Sequence, residues 1–492
     1  MQNIAIKKGF FYFVNSENLS NFAGAFCIVD KVIIILKTVY IMSNNIYLKK
    51  GLNIPIKGVA AQTTKKVIVP DVVALKPTDF RGLVPKLLVR EGDKVLAGTP
   101  VMADKMSQNI LFTSPVSGVV AEVVRGEKRK LLEVRIKADA EQEYVDFGAK
   151  KVADMSAEQI KEAILAAGLW PALMQRPYGI IANPNVAPKA IFVSGFSTAP
   201  LAADPAFTLK DEVANIQTAI DALAKMTGKK VHLSLNAETE ATTPFRNLKN
   251  VELHTFSGKH PAGNVGVQIH HICPIRKGET AWTVSLTMLA AIGKLFNTGK
   301  LDLKRKIAVT GPKVENPAYV EGYPGISMKS VKEFYGEPAE LRFVSGDVLT
   351  GTNVGAEGYL GFHDNQITIL EEGNKYELLG WAKPFRPKLF SASRTYFSWL
   401  TPNKKYDMDT NLHGGPRAFV VNDVYTKVLP MEIYPVHLLK ACLANDIDGM
   451  EKFGIYEVLE EDLALCEYVC PSKIDIQQII TDGIALMLKE MC

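Results

Sequence analysis

Between Val89 and Val120 the chain breaks into short apolar runs divided by glycine, aspartate and proline, with no sustained helical period. It reads Val89-Arg90-Glu91-Gly92-Asp93-Lys94-Val95-Leu96-Ala97-Gly98-Thr99-Pro100, then Asp104-Lys105-Met106, then Ser114-Pro115-Val116-Ser117-Gly118-Val119-Val120. Gly92-Asp93 and Gly98 predict tight turns, because glycine accepts positive φ and aspartate bonds its own backbone. Ser114-Pro115-x-x-Gly118 restarts the chain as a second strand set. The same texture runs from Ile46 to Lys137, so this region reads as a small all-β unit.

The pattern resembles the biotinyl/lipoyl barrel-sandwich family, in which two half-barrels meet at a hairpin bearing a modified lysine. Lys105 sits near that hairpin. Its spacing to the next glycine is longer than in true carriers, and Met106 replaces the usual small neighbour, so Lys105 reads as a surface lysine on a turn.

With 492 residues the chain has length for about three or four domains with buried cores. Its net charge of +5 is small for that size, and no long basic run or aromatic–basic repeat points to nucleic acid. Cys27, Cys273, Cys442, Cys466, Cys470 and Cys492 are too scattered for a disulfide framework, which fits a reducing compartment. Residues 1–41 differ from the rest. Val32–Leu36 is apolar but bracketed by Asp30, Lys31 and Lys37, far short of the roughly 20 residues of a membrane span. Gly9–Val14 is short for the apolar core of a secretory signal, and Gly24-Ala25-Phe26-Cys27 lacks the small residues expected before a lipidated cysteine. Met42-Ser43-Asn44-Asn45 looks like an ordinary start. Residues 1–41 are therefore expected to be a mis-assigned upstream extension, which a native N-terminal peptide from within them would refute.

Downstream, the spacing predicts a helix over Met155–Leu169, opened by Ser156 with Glu158-Gln159 behind it. Ala190–Val193 is predicted as a buried strand and Asp211–Thr227 as an amphipathic helix closed by Gly228. Val231–Leu235 and Val251–His254 follow as strands, an order that argues for a parallel α/β layer. Arg305–Gly361 suggests a small α+β module, with strands at Ile307–Val309, Leu341–Val344 and Ile367–Ile369 and a short helix near Met328–Phe334. After Tyr434 helices are expected at Pro435–Ala444, Asp462–Val469 and Ile476–Lys489. The last carries Ile479, Ile480, Ile484, Met487 and Leu488 on one face.

Gly258-Lys259-His260-Pro261-Ala262-Gly263-Asn264-Val265-Gly266 is a glycine-rich loop after a strand. Such a loop can offer backbone N–H groups to an anion, with Lys259 adding charge, which makes Gly258, Lys259, Gly263 and Gly266 candidate ligand residues. The glycine spacing is not a dinucleotide fingerprint, Pro261 removes one donor, and no helix is expected directly after it. A structural turn is the preferred reading. His270-His271-Ile272-Cys273 offers three ligand types, but on a strand the two histidines would face opposite ways, so no metal is expected. Cys466-Glu467-Tyr468-Val469-Cys470-Pro471 ends as a ferredoxin-like run does. The remaining Cys-x-x-Cys pairs are missing, and Cys442 and Cys492 are irregularly placed, so buried helical cysteines are expected. Leu169–Tyr178 gathers Trp170, Arg176 and Tyr178. A quinone head group wants a flat apolar slot and one or two donors, which makes Trp170, Arg176, Tyr178 and His260 candidate quinone-binding residues, weighed against an interdomain packing hinge. No Ser/His/Asp grouping, P-loop or His-Glu-x-x-His is evident, and no catalytic residue is assigned.

Together these segments resemble the NqrA family, which supplies one component of the Na+-translocating NADH:quinone reductase, over about residues 46–490. The resemblance rests on Lys49-Lys50-Gly51-Leu52-Asn53-Ile54-Pro55-Ile56, on Gly168-Leu169-Trp170 with Arg176-Pro177-Tyr178, and on Ser257-Gly258-x-His260-Pro261-Ala262-Gly263. It continues in Ala291-Ile292-Gly293-Lys294-Leu295-Phe296 and Glu460-Glu461-Asp462-Leu463-Ala464-Leu465-Cys466. It implies a multidomain α/β and β chain: an extension at 1–41, a barrel-sandwich hybrid domain at 42–150, a Rossmann-like α/β domain at 151–302, a β-grasp domain of the SLBB type at 303–385, and a C-terminal segment at 386–492 that is largely helical after 434. It also implies kinship with the C subunit of the Rnf complex and the flavin-binding subunit of complex I. The chain departs from these relatives at the nucleotide fingerprint and the cysteines.

The role so implied is that of a peripheral component at the cytoplasmic face of the bacterial inner membrane, in a six-subunit complex coupling quinone reduction by NADH to Na+ export. The chain would serve the quinone-reduction step and assembly, touching the membrane through its partners. No tightly bound cofactor is expected on it. Quinone is the substrate, while FMN, riboflavin, FAD and iron-sulfur centres belong to sister subunits, whose covalent-flavin motif Ser194-Gly195-Phe196-Ser197 matches only superficially. The alternative is a flavin- or NADH-binding electron-entry subunit of an Rnf/complex I-like oxidoreductase, and a swinging-arm carrier is a third reading.

Overall fold

The computed structural model describes residues 45–336, 340–375, 380 and 385–491, so the extension expected at 1–41 lies outside the described residues, as do Cys27 and Cys492. Strand β1 (Asn45–Leu48) flanks a large sheet formed mainly by later residues, and β2 (Ala61–Val67) runs parallel to a strand near residue 320. Both therefore leave the unit they precede in sequence. That unit comprises β3 (Val72–Leu75), β4 (Pro85–Leu87), β5 (Lys94–Val95), β6 (Pro100–Asp104), β7 (Leu111–Thr113), β8 (Gly118–Arg125) and β9 (Leu131–Ala138). They form two small sheets, β3-β9-β8-β5 and β4-β6-β7, with antiparallel pairing. Val73, Val101, Met102, Phe112, Val134 and Ile136 fill the space inside. The foreseen turns are present: Gly92 has φ +88° and Gly98 φ +100°, and Asp93 Oδ2 accepts the Arg90 N–H at 2.7 Å. Lys105 is exposed in the turn between β6 and β7.

Helix α1 (Ala157–Ala166) opens as its sequence requires. The Gln159 N–H donates to Ser156 Oγ, and the Ser156 N–H donates back to Gln159 Oε1 at 2.8 Å, a reciprocal cap. There follow β10 (Met174–Arg176), β11 (Ile180–Ile181), β12 (Ile191–Ser194), α2 (Val213–Thr227), β13 (Val231–Asn236), β14 (Val251–Gly258), α3 (Val265–Ile272), β15 (Ala281–Thr283) and α4 (Leu286–Thr298). Among the described residues they make a sheet of order β1-β14-β13-β12-β15-β10-β11, parallel from β14 through β13 and β12 to β15, with β10 antiparallel to β15. Gly228, at φ +68°, closes α2. Helices α2 and α4 cross at Gly293, where any Cβ would collide with the backbone carbonyl of Asn215.

Two expectations are corrected here. A helix does begin at the end of the glycine-rich loop, at Val265, and His270 and His271 lie on that helix, α3, not on a strand. At eight residues, with a glycine inside and β-branched residues at Val265 and Val267, α3 carries weak helical signals. Asn264, at its N-cap position, makes no side-chain cap; its Nδ2 donates instead to the carbonyl of Glu461. Helix α4 goes unmarked in the sequence pattern for a different reason: it is buried nearly all round, so no polar face sets off an apolar one.

The next module contains β16 (Arg305–Thr310), β17 (Ala318–Gly322), a 3₁₀ segment at Met328–Phe334, β18 (Leu341–Ser345), β19 (Thr352–Asn353) and β20 (Gln366–Glu371). Its sheet runs β19-β18-β20-β16-β17-β2, mixed in direction. The chain ends in α5 (Pro435–Leu443), α6 (Ile447–Phe453), α7 (Glu460–Val469) and α8 (Ile476–Met491). Ile480, Ile484 and Met487 of α8 are fully buried, in a cluster with Leu438, Met450 and Leu463 that also takes in Leu48, Phe256 and Val267. The C-terminal helices thus share a core with β1, β14 and α3. Among the described residues no helix is long and apolar enough to cross a membrane.

Candidate functional site

Helix α7 begins Glu460-Glu461-Asp462, three carboxylates in the first turn, where the positive end of the helix dipole favours them. Tertiary structure brings two arginines to this turn. Arg81, from the β3–β4 connection, pairs with Glu460 through Nη2 and donates from Nη1 to the Tyr178 carbonyl at 2.8 Å. Arg176, at the end of β10, pairs with Glu461 through Nη2 and donates from Nη1 to Asp462 Oδ2 at 2.8 Å. Arg176 and Asp462 are almost wholly buried. Burial opposes the Arg176 charge, but Asp462 and Glu461 beside it prevail, so the guanidinium is held firmly protonated. Asp462 Oδ2 also accepts the Leu459 N–H at 3.0 Å, capping α7. A side chain at Gly266, in the first turn of α3, would collide with both Arg176 and Asp462. The start of α3 is therefore packed against the protein's own carboxylate.

His260 lies in the same neighbourhood. It is 3 % exposed, its Nδ1 is 3.1 Å from Thr198 Oγ1, and its N–H donates to Asn53 Oδ1 at 2.9 Å. Burial pushes its imidazole down to about 4, against the opposing pull of Asp462, so the ring is neutral at pH 7. The loop around it is already engaged. Gly263 donates to Thr198 Oγ1 and accepts from Ser194 Oγ, while the Ala262 and Asn264 N–H groups bond to Lys259 and Pro261 carbonyls. Gly258, at φ +137°, lies against the Leu48 backbone, and Lys259 is exposed.

Of the residues singled out for a quinone, Arg176, Tyr178 and His260 gather around the start of α7, and Trp170 does not join them. The Trp170 ring is fully buried, its Nε1–H donates to the Ala182 carbonyl at 2.6 Å, and it packs edge-to-face on Trp282 at 5.6 Å. Tyr178, at φ +80°, packs edge-to-face on Tyr456 at 6.1 Å. The sequence reading missed Arg81, Asn53, Thr198 and the carboxylates as site residues. The run Glu460-Glu461-Asp462 at a helix start was the one local signal available.

The other sequence candidates have protein partners. His270 Nε2 accepts the Glu432 N–H at 2.9 Å and its Nδ1 donates to Glu457 Oε2 at 2.6 Å, while His271 Nε2 donates to the Pro430 carbonyl at 2.8 Å. Cys466 and Cys470 stand one turn apart and fully buried, with Cys470 Sγ 3.0 Å from the Tyr425 hydroxyl. Burial pushes the Cys466 thiol well above its usual range, so it stays protonated. What the arrangement offers is a neutral imidazole, a guanidinium held between two carboxylates and a pair of aromatic rings beside a helical core.

Family models match this chain in three places: the NqrA N-terminal barrel-sandwich hybrid domain at residues 46–139, the NqrA second alpha/beta domain at 155–301 and the NQRA C-terminal domain at 306–356. Among curated proteins it is 37 % identical over 448 residues to the A subunit of the Na(+)-translocating NADH-quinone reductase of Neisseria meningitidis serogroup A, covering 90 % of this chain and 100 % of that one. The corresponding A subunit of Rhodopirellula baltica is 37 % identical over 451 residues, covering 90 % and 98 %. That of Yersinia pestis is 37 % identical over 440 residues, covering 89 % and 98 %.

Proposed function

The chain belongs to the NqrA family, the A subunits of the Na(+)-translocating NADH-quinone reductase, and from this membership we propose that it serves as the peripheral component of that complex at the cytoplasmic face of the membrane. The observation that carries the reading is likeness along nine-tenths of the chain: 37 % identity with 90 % of this chain matched to 100 % of the N. meningitidis protein. In this reading the chain is one of six subunits and reaches the membrane through its partners. It works at the quinone-reduction step and in assembly. NADH oxidation, the flavins and the iron-sulfur centres reside on sister subunits.

The finer fold reading goes with it. The sheet containing β12, β13 and β14 is Rossmann-like, supported by its parallel run and by α2 between β12 and β13. The sheet containing β16 to β20 is a β-grasp of the SLBB type. For the quinone, the reading assigns the head group to the surroundings of Arg176, Tyr178 and His260. The neutral imidazole and the Tyr178–Tyr456 pair support that choice. Trp170 falls outside this assignment, since its ring packs on Trp282 in the core and its one donor is engaged by Ala182.

The experiment is a mild-detergent pull-down of the tagged chain from its own host's membranes, assayed for sodium-stimulated NADH:quinone reductase activity. Activity co-purifying with flavin-bearing partners is the expected result. A lone, inactive chain, recovered under conditions that keep the complex intact, would overturn the proposal.

A further inference from the structure

We propose that His232, His254 and Glu252 form a binding site for a divalent cation of the zinc class on the face of the sheet carried by β13 and β14. The two strands are parallel, with His232 opposite Glu252 and Ser234 opposite His254. Residues two apart on a strand share a face, so Glu252 and His254 point the same way and meet His232 across the ladder.

The separations suit a small tetrahedral ion. His232 Nδ1 is 3.0 Å from His254 Nε2 and 3.6 Å from Glu252 Oε2, and the three ligand atoms lie within 4.8 Å of one another. Zinc bonds of about 2.0–2.1 Å at tetrahedral angles put neighbouring ligand atoms roughly 3.3 Å apart. Closing on an ion asks the widest of these separations, at most 4.8 Å, to shorten toward that value. The His232 ring is held by stacking on Phe192 of β12, with centroids 4.8 Å apart and planes 15° from parallel.

The chemistry agrees with the geometry. Burial lowers both imidazoles below their ordinary value, so both are neutral at pH 7, the form that ligates. Two imidazoles and one carboxylate select zinc, cobalt or nickel over magnesium or calcium, which want oxygen. The Glu252 side chain is 53 % exposed, which leaves the group accessible from solvent, and three protein ligands leave a coordination position for water. Among the described residues this is the grouping of three or more His, Cys, Asp or Glu ligand atoms close enough to hold an ion.

The competing arrangement is a plain hydrogen bond between two neutral rings, and titration of the purified, chelator-stripped full chain separates the two. Zn2+ is followed by calorimetry and Co2+ by visible absorption. The expected result is one equivalent bound, with tetrahedral Co2+ bands, no thiolate charge-transfer band, and displacement of Co2+ by Zn2+. Binding is lost in His232→Ala and His254→Ala, weakened roughly tenfold or more in Glu252→Gln, and kept in His437→Ala, a change at an exposed histidine elsewhere. Should either alanine variant fail to fold, Glu252→Gln decides alone, since its carboxylate is largely in solvent. Absence of binding by the unaltered chain, undiminished affinity in Glu252→Gln, or a thiolate-to-Co2+ band would each overturn the proposal.

Discussion

Arg176 donates from Nη1 to Asp462 Oδ2 at 2.8 Å across 286 positions of sequence, both groups almost wholly buried. Arg176 ends a strand of the α/β sheet, and Asp462 caps the first turn of α7. With Arg81 and Glu460 added, the start of α7 is tied both to the small β unit and to the α/β sheet. The C-terminal helices are therefore anchored by charge at one end and by the apolar cluster around Met450 and Ile484 elsewhere.

Breaking that pair leaves a buried carboxylate without its cation. Arg176→Met is expected to lower the free energy of unfolding by about 3–5 kcal/mol, whereas Arg176→Met combined with Asp462→Leu recovers a large part of the loss, because desolvated charge is then removed from both sides. Urea unfolding of the two variants checks this. Equal destabilisation by the single and double changes would show that the pair does not act as a unit.

The low His260 value sets a pH window. Its folded-state value of about 4 lies below the ordinary 6.5. Between these values the unfolded chain takes up a proton that the folded chain refuses, so stability is present above pH 6.5 and is lost as pH falls toward 4. The expected slope from this residue is at most about 1.4 kcal/mol per pH unit. The urea midpoint measured from pH 7 to 4.5 should fall less steeply in His260→Gln than in the unaltered chain.

Gly293 predicts a reversal of the usual helix rule. Glycine to alanine inside a helix ordinarily gains up to about 1 kcal/mol. Here the added methyl meets the Asn215 carbonyl at the α2–α4 crossing, and overpacking of this kind costs about 1–3 kcal/mol. Gly293→Ala should therefore unfold at a lower temperature than the unaltered chain. A raised midpoint would mean that the helices part without penalty.

The thiols should divide by burial. Cys273 is partly exposed, while Cys442, Cys466 and Cys470 are buried, and burial pushes the Cys442 thiol up to about 11. Alkylation of the native chain at pH 8, mapped by peptide mass, should modify Cys273 and leave these three intact until urea is added. Rapid native labelling of Cys466 or Cys470 would contradict their placement against Tyr425.

Signals confined to a few residues were legible in the sequence. The reciprocal cap of Ser156 and Gln159, the glycine that ends α2, the turns at Gly92 and Gly98 and the apolar face of α8 each depend on neighbours within a turn or two. Long motifs in order along the chain were enough for the family. Local reading failed for α3, too short and too poorly capped to stand out, and for α4, whose all-round burial hides its period. What only tertiary structure decided lies in pairings between distant segments. β1 and β2 join sheets built from residues near 255 and 320, Arg176 meets Asp462, and His232 meets His254 and Glu252 across parallel strands. The reason is physical: a cap or a turn is stabilised by atoms the chain holds nearby in any conformation, whereas the partner of a buried charge or a strand edge is set by which sheets close together, and that depends on the packing of the whole core.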